Sequence, residues 1–234
     1  MVDNLNKVND VAAQFEHIGA TFVTPPIEIA NRLKKIKAFI FDWDGVFNDG
    51  IKGHDRSSGF SEADAMALHI LRYAYWRLTG QVPVIAIITA QKNESAIKFA
   101  EREHLARVYY NFKDKYIPVE LLSRDYGFSK ENIATTFDDI IDYPVAVTGN
   151  VRFLINRKAS PLFKSYFIKH DLCDYITACE SPNHPVREIC ELVVGLLGIY
   201  DEVLITRFLE KEKYQEFWKA RNEKATELIP FSQI

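Results

Sequence analysis

Residues 36–50 read IKAFIFDWDGVFNDG, an apolar run of strand length that ends in two aspartates one residue apart. Such a run predicts a buried strand with a reaction centre at its carboxyl end. Asp42 and Asp44 would share one face of a straight strand, and a turn at Gly45 would let their carboxylates converge. Two converging anions repel each other unless a cation lies between them. The segment therefore predicts a magnesium-type site in which Asp42 is also free to attack a substrate.

Two other structures are compatible with an Asp-Gly pair of this kind. A calcium loop of the D-x-D-x-D-G type has its glycine at the sixth position, whereas the glycine here is at the fourth, after a strand-like segment. The spacing therefore argues against a calcium loop. A simple hairpin turn also fits the pair, because Asp-Gly is common in turns. Taken alone, residues 36–50 do not separate a turn from a reaction centre.

The composition is that of a globular protein. The chain has 234 residues, 47% of them hydrophobic, which suits one domain with additions or two small domains. A formal net charge of -3 gives no indication of a basic surface that would bind nucleic acid. Three separated cysteines without a C-x-x-C pair favour a reducing, cytoplasmic compartment. We expect no signal peptide and no membrane partner, because neither a basic-apolar leader nor an apolar run of spanning length is present.

The pattern divides the chain into three parts. Residues 1–35 read as an N-terminal extension, 36–200 as the core, and 201–234 as a charged and aromatic C-terminal helical extension docked on the body or on a neighbouring subunit. In the core, strand-like runs alternate with helical patterns, which predicts an α/β fold with a doubly wound, Rossmann-like parallel sheet. The predicted strands are 38–41, 84–88, 107–110, 133–137 and 145–147, and the predicted helices are 62–78, 92–104 and 115–126.

Polar residues follow two further predicted strands of the core. Thr89 ends the second strand and could hold a phosphoryl oxygen, although a threonine after a strand is more often a helix cap. Lys115 lies in NFKDKY at the start of a helix, where the helix dipole disfavours a cation. Such a conflict is typical of a functional lysine, and the alternative is an ordinary solvated side chain.

Three acids follow the predicted strand 133–137, in the segment TTFDDIIDYP. One aspartate could cap a helix, but three within five residues favour the second half of a metal site. We expect Asp138 to bind the metal, with Asp142 and Asp139 beside it to orient the ligands.

The four groups of polar residues described above, taken in their order along the chain, resemble the motifs of the haloacid dehalogenase (HAD) superfamily of phosphatases. The closer likeness, over about residues 36–198, is to the 3-deoxy-D-manno-octulosonate 8-phosphate phosphatase group. It rests on the segments DWDGVFNDG, AIITAQKNESA, DDIIDYPV and VREICELV.

The resemblance implies a magnesium-dependent phosphomonoesterase acting on a small phosphorylated sugar or sugar acid. Asp42 would attack phosphorus to form an aspartyl-phosphate, and Asp44 would serve as acid and then base. Mg²⁺ would be held by Asp42, the Asp44 backbone carbonyl and Asp138. Thr89 and Lys115 would bind the phosphoryl oxygens.

The same resemblance implies an architecture and an assembly. It predicts no large cap domain and a small hairpin flap near residues 51–60, after the first strand. It also predicts a homo-oligomer, commonly a tetramer, in which a neighbouring subunit helps to complete the site.

The chain departs from the family pattern in several places. Phe137 stands where relatives usually carry glycine, and it could shift the metal loop. The 180–186 loop contains two prolines where relatives are glycine-rich. Arg187 could reach a substrate carboxylate or pair with Glu191 one helical turn on. Segment 149–174 is longer than usual and carries the basic and aromatic run NRKASPLFKSYFIKH.

Two further functions are compatible with the sequence. The departures are consistent with a catalytically weak HAD-like scaffold or interaction protein, although a scaffold has no need to keep the acids and the lysine together. A phosphotransferase could use the same aspartyl-phosphate.

Overall fold

The computed structural model describes residues 2–52 and 59–234. Within this part of the chain, eight strands form one sheet that packs against helices. The strands are β1 (Thr21–Phe22), β2 (Ala38–Asp42), β3 (Val84–Thr89), β4 (Arg107–Tyr110), β5 (Ile133–Phe137), β6 (Val151–Leu154), β7 (Tyr175–Ile176) and β8 (Glu227–Pro230). The helices are α1 (Val2–His17), α2 (Pro26–Leu33), α3 (Glu62–Thr79), α4 (Glu94–Glu103), α5 (Tyr116–Tyr126), α6 (Tyr143–Thr148), α7 (Pro161–Lys169), α8 (Pro185–Leu196), α9 (Tyr200–Leu209) and α10 (Lys211–Asn222).

The strand order places the end of β2 at a natural ligand crevice. The order is β1-β7-β6-β5-β2-β3-β4-β8, and β2 pairs in parallel with both β3 and β5. The chain runs to one side of β2 through β3 and β4, and to the other side through β5, β6 and β7. Open parallel sheets bind ligands at the carboxyl ends of strands where the order reverses. The predicted doubly wound α/β fold is confirmed, and Asp42 is the last residue of its central strand.

Burial of both faces of β2 explains why its sequence is apolar almost throughout. All five residues of the strand are buried, so the run shows no alternation of polar and apolar side chains. Phe39 and Phe41 belong to the core cluster that includes the buried faces of α3 and α8. Ala38 and Ile40 belong to a second cluster that includes residues of α5. The strand is thus held between two apolar layers, and only its end offers a polar side chain.

One predicted strand is wrong. Residues 145–147 lie in the helix α6, and the strand that follows β5 is β6, which was not predicted. A run of three apolar residues has no period that separates strand from helix, and Pro144 in the first turn favours the helix. The β6 sequence VRFL contains Arg152, whose Nε donates to Oδ2 of Asp174 at 2.9 Å. A partner 22 residues away makes a charged residue acceptable in a buried strand.

Both terminal segments contribute to the central sheet. The short strand β1 pairs antiparallel with β7 at one edge, and β8 pairs in parallel with β4 at the other. Helix α1 packs against α8. In α10, Phe217 is fully buried and the Tyr214 hydroxyl lies 2.7 Å from Nε2 of His69. The edge strands were not predicted, and the division into 1–35, 36–200 and 201–234 stays a proposal.

The link between β2 and β3 carries α3, and the described residues there form no further domain. The hairpin flap predicted for residues 51–60 falls on 53–58 for the most part, and 53–58 lie outside the described residues. Of the helices that the structure describes, each is too short or too polar to cross a membrane.

Candidate active site

The ends of neighbouring strands bring the candidate residues to one cavity. Asp42 ends β2, Thr89 ends β3, Lys115 precedes α5 and Asp138 follows β5. Together with Asp44 they line a cavity of about 250 Å³. A larger groove of about 640 Å³ lies elsewhere, along α1 and the junction of α8 and α9, so cavity size alone does not locate the chemistry. The structure brings the five residues together as predicted, while their individual roles stay predictions.

Three buried carboxylates lie close together, and two of them, Asp42 and Asp138, line this cavity. One oxygen each from Asp42, Asp138 and Asp142 lies within 4.8 Å of the others. Lys115 Nζ donates to Oδ1 of Asp42 at 2.6 Å and to Oδ1 of Asp142 at 2.5 Å. The other oxygen of Asp142 accepts from the backbone N–H groups of Asp138 and Asp139, at 3.3 and 3.2 Å. Both oxygens of Asp142 are therefore engaged, whereas Asp42 and Asp138 are the better placed metal ligands.

Negative charge is in excess in this cluster. Burial, followed by the nearby Asp142, raises the pKa of Asp42 well above its usual range, against the attraction of Lys115. Burial and Asp142 also raise the pKa of Asp138 to about 7, against the attraction of Arg157. Burial lowers the pKa of Lys115, but Asp42 and Asp142 outweigh it, so this pKa lies above its usual value and the lysine stays charged. A divalent cation would offset the remaining repulsion.

Asp44 and Thr89 are connected through Asn93. Asn93 Nδ2 donates to Oδ2 of Asp44 at 3.0 Å and to Oγ1 of Thr89 at 2.8 Å. Lys52 Nζ donates to the same Asp44 oxygen at 2.6 Å and to Oδ1 of Asn93 at 2.9 Å. Within the described residues, Oδ1 of Asp44 is buried and has no hydrogen-bond partner. One Asp44 oxygen is thus shared by two donors, while the other has no donor among the described residues.

Comparisons with known proteins found chains that are similar to this one in sequence and in fold. No family model matches the chain. The curated 3-deoxy-D-manno-octulosonate 8-phosphate phosphatase of Escherichia coli K12 is 25% identical over 179 residues, which are 75% of this chain and 88% of that protein. A solved Legionella pneumophila protein, assigned to the HAD superfamily hydrolases of subfamily III A, is 26% identical with a TM-score of 0.64 and covers 78% of this chain and 94% of its own. The chain resembles the HAD phosphatases.

The prediction that the chain is an enzyme of the phosphatase class is confirmed by the same matches. A further solved structure supports the fold of this chain. The 3-deoxy-D-manno-octulosonate 8-phosphate phosphatase of Moraxella catarrhalis was solved with a magnesium ion, a phosphate ion and a KDO molecule. It is 23% identical, with a TM-score of 0.64, and the match covers 76% of this chain and 97% of that one. The carboxylate cluster of Asp42, Asp138 and Asp142 fits the Mg²⁺ that the sequence predicted, because magnesium prefers carboxylate oxygens.

The structure explains two residues of the segment TTFDDIIDYP, Asp139 and Phe137, differently from the sequence. Asp139 is exposed, and its Oδ1 accepts the backbone N–H of Ile140 at 2.7 Å, so it begins the 3₁₀ turn Ile140–Asp142. The capping interpretation is therefore correct for Asp139. Phe137 is fully buried and packs on Phe167 with 5.7 Å between ring centroids. Its side chain joins the core beyond the cavity, and Asp138 still reaches the carboxylate cluster.

Arg187 does not reach this cavity. Its Nε donates to Oε1 of Glu191 at 2.5 Å, which is the ion pair that the sequence allowed as an alternative. The two residues line a separate small cavity with Tyr200. The described geometry thus gives no support for Arg187 as a substrate-binding residue.

The sequence analysis missed Asn93, Lys52 and Arg157. Asn93 precedes α4 at the N-cap position, where asparagine is common, yet its side chain makes no cap bond and turns to the site. Lys52 directly precedes residues 53–58. Arg157 belongs to the basic run of segment 149–174, and its Nη2 donates to Oδ2 of Asp138. The unusual length of that segment was the available signal for Arg157.

Gly45 is required by the geometry of the cavity. Its φ is +85°, and a Cβ there would lie 2.6 Å from Nη2 of Arg157 and still closer to Asp138. We expect Gly45→Ala to weaken Mg²⁺ binding about tenfold or more, because the methyl group displaces the Asp138 carboxylate. The measurement is the Mg²⁺ dependence of the thermal unfolding midpoint.

Gly80→Ala is the matched control for this prediction. Gly80 has a φ of +73° but no atom within 4 Å of a built Cβ, so its substitution adds backbone strain alone. We expect this variant to lose some stability and to keep the Mg²⁺ affinity of the wild type. Equal Mg²⁺ affinities in both variants would contradict a contact role for Gly45.

Proposed function

We propose that the chain is a Mg²⁺-dependent phosphomonoesterase that hydrolyses a small phosphorylated sugar or sugar acid similar to 3-deoxy-D-manno-octulosonate 8-phosphate. The observation that supports this most strongly is the meeting of Asp42, Asp44, Thr89, Lys115 and Asp138 around one cavity. The names of the curated relatives support the choice of substrate class. The buried position of Phe137 removes one of the reasons for a scaffold without activity.

In the proposed reaction, a carboxylate oxygen of Asp42 forms a bond to phosphorus while the bond from phosphorus to the substrate oxygen breaks. Asp44 gives a proton to the leaving oxygen and then takes one from the water that hydrolyses the aspartyl-phosphate. Lys115 orients the Asp42 carboxylate through its 2.6 Å hydrogen bond and stays positively charged. The Thr89 hydroxyl, held by Asn93, binds a phosphoryl oxygen.

The carboxylates of Asp42 and Asp138 are the proposed protein ligands of Mg²⁺, and the backbone carbonyl of Asp44 is a third by family resemblance. The ion, when bound, supplies positive charge that reduces repulsion between the Asp42 carboxylate and the phosphoryl group. Asp142 and Lys115 hold this arrangement through the hydrogen bonds described above.

The size of the cavity supports a small substrate. At about 250 Å³ it is smaller than most sites for drug-sized ligands, and it suits a phosphorylated metabolite of the size of a sugar. We also propose a cytoplasmic homo-oligomer, a tetramer by family resemblance. Ile140 and Ile141 are exposed beside the cavity, at 71% and 44%, and a neighbouring subunit could cover them.

A panel of phosphorylated sugars and sugar acids tests the proposal. We expect inorganic phosphate to be released in the presence of Mg²⁺, to stop when the metal is chelated with EDTA, and to resume when Mg²⁺ is restored. Sugar-acid phosphates should have the highest kcat/KM. A protein that binds Mg²⁺ yet releases no phosphate from any member of the panel would argue against the proposed function.

A further inference from the structure

Arg157 is a cation in the cavity for which the proposed reaction has no role. Its Nη2 donates to Oδ2 of Asp138, and the guanidinium also lies close under Gly45. The Asp138 side chain is 3% exposed, whereas that of Arg157 is 39% exposed. Arg157 also lines the cavity that contains Asp42 and Thr89. The guanidinium therefore reaches both a buried carboxylate and the open part of the site.

The backbone around Arg157 is fixed, so any movement is confined to its side chain. The N–H of Ile155 donates to the Phe137 carbonyl at 2.9 Å, and the N–H of Asn156 donates to the Thr177 hydroxyl at 2.9 Å. On the other side, the N–H of Lys158 donates to Oε1 of Glu180 at 3.0 Å. These bonds hold the Arg157 backbone beside the cavity, while a long and partly exposed side chain keeps the freedom to change partner.

Asp138 cannot satisfy two cations equally well. Its carboxylate lies in the three-acid cluster suited to Mg²⁺, and the same carboxylate accepts the guanidinium of Arg157. A divalent ion at this carboxylate would repel a guanidinium in contact with it, because like charges close together in a poorly solvated site interact strongly. The ion and Arg157 therefore compete for Asp138. A displaced guanidinium stays beside the space that a substrate anion would fill.

We propose that Arg157 exchanges partners during the reaction cycle. It pairs with Asp138 before the divalent ion binds, gives up that carboxylate to the ion, and then donates hydrogen bonds to an oxyanion of the bound substrate. The planar guanidinium fits either a phosphoryl group or a carboxylate, since both accept paired N–H donors. This inference rests on the proposed function, because it requires a metal ion and an anionic substrate in the same cavity.

Measurements of metal binding test the first half of the exchange, in which the divalent ion displaces Arg157 from Asp138. They require no assay of enzyme activity. The Kd for Mg²⁺ is measured from the metal-dependent rise of the thermal unfolding midpoint, for the wild type and for Arg157→Gln. Loss of the competing cation should tighten Mg²⁺ binding about tenfold. Lys158→Gln is the matched control, because it removes the same charge from the next, exposed position, and its Kd should stay within about twofold of the wild type.

The possible results separate this inference from the proposed function. Mg²⁺ binding with the same Kd in the wild type and Arg157→Gln would overturn the exchange and leave the proposed metal site intact. Equal tightening in Arg157→Gln and Lys158→Gln would also overturn it, because a general charge effect would then explain the change. A wild type that Mg²⁺ does not stabilise would overturn the metal site and the exchange together.

Substrate kinetics test the second half. At saturating Mg²⁺, Arg157→Gln should raise KM about tenfold with little change in kcat, and Arg157→Lys should recover part of the loss. A sugar-acid phosphate is compared with the matching sugar phosphate that lacks the carboxylate. An equal rise of KM for both identifies the phosphoryl group as the partner, and a rise for the sugar acid alone identifies its carboxylate. An unchanged KM for both substrates would overturn the substrate contact.

Discussion

Replacing Asp42 by asparagine is expected to lower the rate of phosphate release by roughly 10⁴-fold or more. The amide keeps the size and planarity of the carboxyl group but is a very weak nucleophile, so no aspartyl-phosphate forms. The fold should persist, because the substitution removes one of several mutually repelling acids and leaves an oxygen that can accept from Lys115. Phosphate release at saturating Mg²⁺ gives the rate, and the thermal unfolding midpoint reports the fold.

Asp114→Asn is the matched control for Asp42→Asn. Asp114 is exposed next to Lys115, and its Oδ1 accepts the backbone N–H of Tyr116 at 3.0 Å, which an asparagine oxygen can also do. Its activity should stay within about threefold of the wild type, as for most surface changes away from a site. If Asp42→Asn kept activity comparable to that of Asp114→Asn, Asp42 could not be the nucleophile.

The parts of the fold that were predicted correctly share a physical cause. Strands β2 and β3 are almost wholly buried, so each reads as a continuous apolar run with a clear polar end. In β5, IATTF, two threonines interrupt the apolar run but keep the β-branched character of a strand. The strand β6 lacks this signature because Arg152 interrupts it, and only the distant partner Asp174 makes the arginine acceptable. Local sequence carries no information about a partner that the folded sheet alone brings near.

The same limit explains which site residues were found. Asp42, Thr89 and Asp138 directly follow or end apolar strands, so the rule that parallel strands end at one edge locates them together. Asn93 and Arg157 lie in segments whose local pattern has an adequate explanation of its own, a helix cap and a basic run. Their contacts with the aspartates depend on strand order and on loop geometry. Strand order and loop geometry cannot be inferred from the spacing of residues along the chain.

Replacing Lys115 by methionine is expected to destabilise the metal-free protein by about 3–5 kcal/mol. Lys115 is 1% exposed and donates to both Asp42 and Asp142, so its loss leaves buried carboxylates without their countercharge. Lys113→Met, at an exposed position two residues earlier, should change the free energy of unfolding by less than about 0.5 kcal/mol. Denaturant unfolding of both variants in EDTA measures the difference, and equal stabilities would show that the cluster does not need the lysine.

The stability of the Lys115→Met variant should depend on pH and on Mg²⁺, because both change the charge of the cluster. A carboxyl group whose pKa is higher in the folded than in the unfolded state destabilises the fold when it is ionised. Without Lys115 the pKa of Asp42 rises further, so the penalty of the substitution should shrink as the pH falls from about 7 to about 5. Mg²⁺ should also stabilise the variant more than the wild type, because the ion supplies the charge that the lysine no longer provides. A penalty independent of both pH and Mg²⁺ would mean that lost packing, and not charge, explains the instability.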